Sequence, residues 1–154
     1  QASAQNKSIS FPCVSPNGKH LMFTLSDYGN FSIWHPESDL YILDLSTGET
    51  RDLENVNSND VDSYHTWSSN GHWFVFSSKR MDGLWARPYI AAFNPETGET
   101  GKAFLLPQKD PMFYDNYTYT YNCPELIKKP VKNGKEFEKI IPQAAILSTP
   151  KKNH

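Results

Sequence analysis

With only two cysteines in 154 residues, Cys13 and Cys123, far apart, the chain has neither the spacing of a zinc cluster nor a disulfide framework. A single long-range disulfide between them stays open. No apolar run approaches the roughly 18 residues that a membrane-spanning helix needs, and the N-terminus has no apolar signal core. The chain begins at Gln1 without Met, which fits a processed or excised piece. Excess basic charge is missing too: the formal net charge is −2, so no global field draws the protein to nucleic acid or an anionic membrane. Residues 1–127 hold eight Lys/Arg against fifteen Asp/Glu, whereas residues 128–154 hold seven Lys against two Glu. An acidic body therefore carries a basic tail, with a short helix expected at Lys135 to Ile141 and disorder at the end.

Catalytic signatures are also wanting. There is no Gly-x-Ser-x-Gly elbow, no phosphate-cradling Gly-x-x-x-x-Gly-Lys and no dinucleotide-binding Gly-x-Gly-x-x-Gly. None of His20, His35, His65 and His72 stands at a His-x-x-x-His spacing, so a metal site would need folding to assemble it. His35 and His65 are the better placed, each being read as beside a loop. Asp60 and Asp62 with Asn57 and Asn59 line up hard oxygens suited to calcium, but the run lacks the glycine and distal glutamate of a calcium loop. A solvated loop is the favoured reading. No catalytic residue, metal or cofactor is assigned, and the sequence does not describe a self-sufficient enzyme.

What the sequence does contain is repetition. Aromatics make up 14% of the chain, with eight Gly and eleven Pro, a balance suited to short strands and turns. Val14-Ser15-Pro16-Asn17-Gly18-Lys19-His20-Leu21-Met22-Phe23-Thr24 is echoed by Trp67-Ser68-Ser69-Asn70-Gly71-His72-Trp73-Phe74-Val75-Phe76-Ser77, with Gly18 and Gly71 53 residues apart. Tyr41 to Thr50 is echoed by Tyr89 to Thr100, with Gly48 and Gly98 50 apart and two extra residues in the second turn. Each unit reads as an Asn-Gly hairpin turn, a buried apolar strand, a polar connection, a second buried strand and a Thr-Gly-Glu-Thr turn. Three or four strands at a period near fifty predict a β-propeller blade. The fold class is therefore all-β: two antiparallel blades over 8–106, divided at about 8–60 and 61–106, a closing segment at 107–127 and a basic tail at 128–154. Tyr117, Tyr119 and Tyr121 alternate with Thr and predict a strand with a tyrosine face.

Ser15-Pro16-Asn17-Gly18-Lys19 before an apolar strand, and Asp39 to Glu49 closed by Thr47-Gly48, resemble the TolB-type propeller repeat, whose usual form is Ser-Pro-Asp-Gly-Lys. The second copy departs in having Ser69 for Pro. Tyr121 to Leu126, after Pro107 and Asp110-Pro111, is similar to the C-terminal end of longer periplasmic propeller proteins of Bacteroidetes-type bacteria. The resemblance implies a non-catalytic, extracytoplasmic scaffold in the cell envelope, binding protein partners. The competing class is the propeller portion of an enzyme, as a prolyl-oligopeptidase-type peptidase gate or an oligogalacturonide-lyase-like metal-dependent propeller. A third reading makes the basic tail a docking peptide for an acidic partner or membrane headgroups.

Propellers close with typically four to eight blades, and two alone leave both apolar faces of the stack open to water. The missing blades are expected from the same or another chain. The expected binding residues are aromatic and cationic: Trp34, Trp85, Tyr28 and Phe31 in loops, Arg80 and Arg87 flanking Trp85, and Tyr114, Tyr117, Tyr119 and Tyr121.

Overall fold

The computed structural model describes residues 6–129; the helix expected at 135–141 and most of the basic tail lie outside them. Two four-stranded antiparallel sheets follow one another along the chain. The first comprises β1 (Ser8–Val14), β2 (His20–Ser26), β3 (Asp39–Asp44) and β4 (Thr50–Asp52). The second comprises β5 (Asp62–Trp67), β6 (Trp73–Ser78), β7 (Arg87–Ala92) and β8 (Phe104–Leu105). Each strand pairs with the next in sequence, so both sheets are simple meanders in order of synthesis, as expected of two blades.

The repeated residues explain why the turns form. Asn17 Oδ1 accepts the Lys19 amide at 3.2 Å, and Asn70 Oδ1 accepts that of His72 at 3.1 Å. Ser15 Oγ accepts the His20 amide at 3.0 Å, and Ser68 Oγ that of Trp73, also at 3.0 Å. These local bonds satisfy amides that a tight turn would otherwise leave unpaired. The second turns repeat likewise: Asp44 Oδ1 accepts the amides of Ser46 and Thr47, and Asn94 Oδ1 those of Glu96 and Thr97. Bulges recur as well. β1 shifts register between Ser10 and Cys13 and β5 between Ser63 and Thr66, with Phe11 at φ 54° and Tyr64 at φ 55°. Their rings meet edge to face at 4.9 Å.

The sheets face each other across one apolar seam. Met22, Leu40, Ile42, Leu53 and Val56 from the first pack against Phe74, Phe76, Tyr89, Ala91 and Phe93 of the second. Each of the larger aliphatic and phenyl side chains among them contributes roughly 1.5–3 kcal/mol by burial. Polar bonds fix the register at the rims: Trp67 Nε1 donates to the Cys13 carbonyl at 3.1 Å, Asn17 Nδ2 to the Pro95 carbonyl at 2.8 Å, and Lys19 pairs with Glu96 at 2.5 Å.

Two expectations change at the C-terminal segment. Residues 107–127 hold no strand; Phe113–Asn116 makes one helical turn and the chain beyond it is irregular. Proline at 107, 111 and 124 removes ladder donors, and the tyrosines pack on one another, Tyr117 and Tyr121 with ring centres 5.4 Å apart. The segment also covers the far face of the second sheet. Ser77 Oγ donates to the Asn122 carbonyl at 2.5 Å and Thr66 Oγ1 to the Pro124 carbonyl at 2.6 Å. The far face of the second sheet is thus covered in part, Trp73 and Phe104 staying 38% and 47% exposed, while the outer face of the first sheet has Val14 52% exposed and Leu21, Tyr41 and Leu43 half-buried.

Gly48 and Gly98 are repeat equivalents with φ of 76° and 74°, yet a β-carbon on Gly98 would stand 2.8 Å from His20 Nε2 while one on Gly48 would meet nothing within 4 Å. Both Gly→Ala replacements cost about 1–2 kcal/mol through the left-handed backbone. Gly98→Ala is expected to cost at least about 1 kcal/mol more through overpacking, measured by urea unfolding of the two variants side by side.

Candidate functional site

The connections β2–β3, β4–β5 and β6–β7 gather at one edge of the sheet pair. In the first, Phe31 takes φ 53° and leads into a 3-10 turn at Ser32–Trp34. Ser32 and Ile33 are buried, and Ser32 Oγ meets Ser63 Oγ at 2.6 Å, so the turn is pinned to the second sheet. Ile33 joins Val61, Tyr64 and Ala86 in a small second core. Pinning these two residues leaves Trp34 on the outside, 67% exposed. In the third connection, Asp82 Oδ1 accepts the amides of Leu84 at 2.8 Å and Trp85 at 2.9 Å, shaping the loop that carries Leu84.

Between these loops lies a cleft of ≈ 230 Å³ lined chiefly by Ile33, Trp34, Asp60, Val61, Lys79 and Leu84. Lys79 is only 5% exposed, and its ammonium sits 3.6 Å above the centre of the Trp34 ring. Burial pulls its pKa down, opposed by the carboxylates of Asp60 and Asp82.

Of the ten side chains expected to bind, Trp34 alone lines this cleft; Tyr28 and Phe31 are exposed on the same connection. Arg80 turns inward, pairing with the buried carboxylate of Asp62 at 2.5 Å and donating to the Val56 carbonyl at 2.7 Å. Asp62 also accepts the Ser58 amide at 2.7 Å and its hydroxyl at 2.9 Å. Burial raises the Asp62 carboxyl pKa while Arg80 opposes the rise. Asp62 is thus an ion-pair partner in the interior, not a solvated loop residue or an open calcium ligand. Arg87 is fully buried; it donates to the carbonyls of Tyr119 at 2.9 Å and Tyr114 at 3.1 Å, holding the C-terminal segment in place. Tyr114 is buried with its hydroxyl donating to the Leu106 carbonyl at 2.8 Å, Tyr117 and Tyr121 are half-buried in the ring stack, and Tyr119 is exposed. Trp85 is half-buried. The tyrosines therefore gather around Arg87, apart from the cleft lining. Lys79 and Leu84 were hidden within polar-looking loop sequence, which carries no mark that a lysine there would be enclosed.

His65, read as a loop residue, lies within β5 and is buried. The strand continues through it because the bulge at Tyr64 absorbs the extra residue. Neither ring nitrogen makes a well-formed hydrogen bond; burial pushes its pKa down to about 4, opposed by backbone groups of Met22 and Phe11. His35 is half-buried, with Nδ1 3.6 Å from the Glu37 carboxylate. Among the described residues no group of three or more His, Cys, Asp or Glu is arranged to hold a metal. Cys13 and Cys123 are both free thiols, each with its pKa raised chiefly by burial.

No known protein-family model matches the chain, and no curated protein matches it in sequence. Among solved structures it is similar to the β-propeller domain of the trilobed protease from Pyrococcus furiosus, described as having an open velcro topology. That likeness covers 66% of this chain at 16% identity, with a TM-score of 0.43. The chain spans 30% of the length of that structure.

The folded pKa of His65, about 4, lies below its unfolded value of 6.5. Between these values the unfolded state binds more protons, so His65 lowers stability as pH falls through that window. Asp39 has the opposite sign: burial first, then the carboxylates of Asp62 and Asp52, raise it from 3.8 to about 6, so its contribution falls as pH rises through that range. Replacing His65→Leu removes two buried ring nitrogens that make no well-formed hydrogen bond and is expected to raise stability at neutral pH by about 1 kcal/mol. Urea midpoints between pH 6.5 and 4 should fall less steeply in the variant than in the wild type; an unchanged slope would refute the assignment.

Proposed function

We propose that the chain is a non-catalytic, TolB-like binding and scaffold module that acts outside the cytoplasm. In this reading its first sheet docks a further propeller blade, and its loop edge faces protein partners. The supporting observation is a correspondence between two faces. Val14, Leu21, Tyr41, Leu43 and Leu45 on the open side of the first sheet, beside the already buried Phe23, are with it the repeat equivalents of Trp67, Phe74, Tyr89, Ala91, Phe93 and Phe76. The latter set is packed into the seam against the first sheet. A face that needs covering in one copy needs it in the other, and the surface that covers the second copy is that of a blade. Repeats of this kind cannot bury their faces alone.

The TolB-type motif supports the extracytoplasmic assignment, and the engagement of Arg80, Arg87 and Asp62 in holding loops supports a structural role for the interior charges. The scaffold reading is favoured over a peptidase gate or a metal-dependent lyase because the blade correspondence accounts for the open face without invoking a reaction.

The test is a pair of charge insertions. Leu43→Lys on the open face is expected to leave the isolated chain's stability within about 0.5 kcal/mol of wild type, while its equivalent Ala91→Lys, buried in the seam, is expected to unfold it. Mixed with the remaining blades of its propeller, the wild-type chain should gain several degrees in Tm and Leu43→Lys should gain none. If Leu43→Lys is as damaging to the isolated chain as Ala91→Lys, the face is already covered within this chain and the docking reading fails.

A further inference from the structure

The cleft between the loop edges of the two sheets combines three properties seldom found together by chance. Its walls are apolar, from Ile33, Trp34, Val61 and Leu84. Its one cation among the described residues, Lys79, is 5% exposed and donates no hydrogen bond to any described residue; its ammonium lies 3.6 Å from the centre of the Trp34 ring, and the carboxylates of Asp60 and Asp82 act on it without an ion pair. Above that ring the cleft is open, Trp34 itself being mostly exposed. The stem of Lys79 is buried while its ammonium is not among the fully enclosed unpaired atoms, so the charge reaches the cleft; a cation over an indole face gains only about 1–2 kcal/mol and leaves its N–H donors open to a ligand. Lys79 is therefore held where a ligand acceptor would complete its coordination.

We propose that this cleft binds a free carboxylate carried on a short apolar group, as at the C-terminus of a peptide ending in a residue such as leucine. The carboxylate pairs with the Lys79 ammonium, and the apolar stem lies against Trp34 and Leu84. A single negative charge is favoured over a phosphate. Among the described residues one cation lines the cleft, the Asp60 carboxylate shares the lining, and a dianion ordinarily draws on several donors or a guanidinium fork. The volume of ≈ 230 Å³ lies below the usual range for drug-sized ligands, about 300–1,000 Å³, and suits one residue rather than an extended chain. Both sheets of this chain build the cleft, so the inference goes beyond the blade-docking reading and does not depend on it.

The probe pair is N-acetyl-leucine and N-acetyl-leucine amide, which differ only in the charged group, titrated into the full chain by calorimetry and by amide chemical-shift mapping. The acid is expected to bind with at least tenfold higher affinity than the amide and to shift the resonances of Trp34, Lys79 and Leu84. Lys79→Met keeps the aliphatic stem, removes the charge and should abolish the preference. Leu84→Asp, at an exposed position that the fold tolerates, should weaken the acid at least tenfold. Comparing 4-methylpentanoate with a tripeptide ending in leucine separates the two sources of such a group: tighter binding of the peptide marks a chain terminus, and equal binding marks a small apolar acid. Equal affinity for acid and amide, absence of saturable binding of the acid, or shifts confined to other regions would overturn the proposal.

Discussion

The apolar seam between the two sheets is the constraint on which every other feature rests. Its ten side chains come from the middle strands of both sheets and from the connection after β4. Bringing them together closes the three loop connections at one edge and the hairpin turns at the other. At the turn edge this closeness is specific enough that Lys19 reaches Glu96, Asn17 reaches Pro95, and Gly98 has no room for a side chain beside His20. At the loop edge it sets Lys79 over Trp34. Hydrophobic burial supplies the force without direction; the rim hydrogen bonds supply the register.

The two outer faces of the stack are treated differently. Segment 107–129 lies over the second sheet and is held by groups that do not belong to a strand ladder: two hydroxyls, the Arg87 guanidinium and a stack of tyrosines. Side-chain donors can bind a proline-rich segment whose own amides are too few to form a ladder. The first sheet has no such cover among the described residues, and its open face keeps the apolar character of the face that its partner sheet buries.

Much of the architecture was legible because it is written twice. Ser15 and Asn17, with Ser68 and Asn70, make the same bonds in both copies, so a motif seen only as letters had a mechanical meaning that the sequence could reveal. The C-terminal segment was misread for the opposite reason. Its tyrosine alternation matches a strand period, but period alone does not supply a neighbouring strand with free amides. His65 was misread because a bulge at Tyr64 adds a residue that pattern counting does not register. The cleft was largely illegible: Trp34 could be picked out as a loop aromatic, whereas the enclosure of Lys79 depends on three connections meeting across 45 residues of sequence.

Repetition also separates what the fold demands from what is particular to a site. Phe11 and Tyr64 both hold positive φ at bulges 53 residues apart. Backbone strain at a bulky residue ordinarily invites a functional reading, but its appearance at the same place in both copies ties it to how an inner strand bends in this architecture. Features found in one copy carry the opposite weight. At the 53-residue offset Lys79 corresponds to Ser26, His65 to Pro12, and the Asp62–Arg80 pair to Ile9 and Asp27. None of these is needed to form a blade, since the first copy forms one without them. Asp62–Arg80 secures the loops on which the cleft is built and His65 lies buried within β5. Lys79 alone of the three borders open space, and a residue that the repeat does not require, placed facing a cavity, is where selection on binding would act.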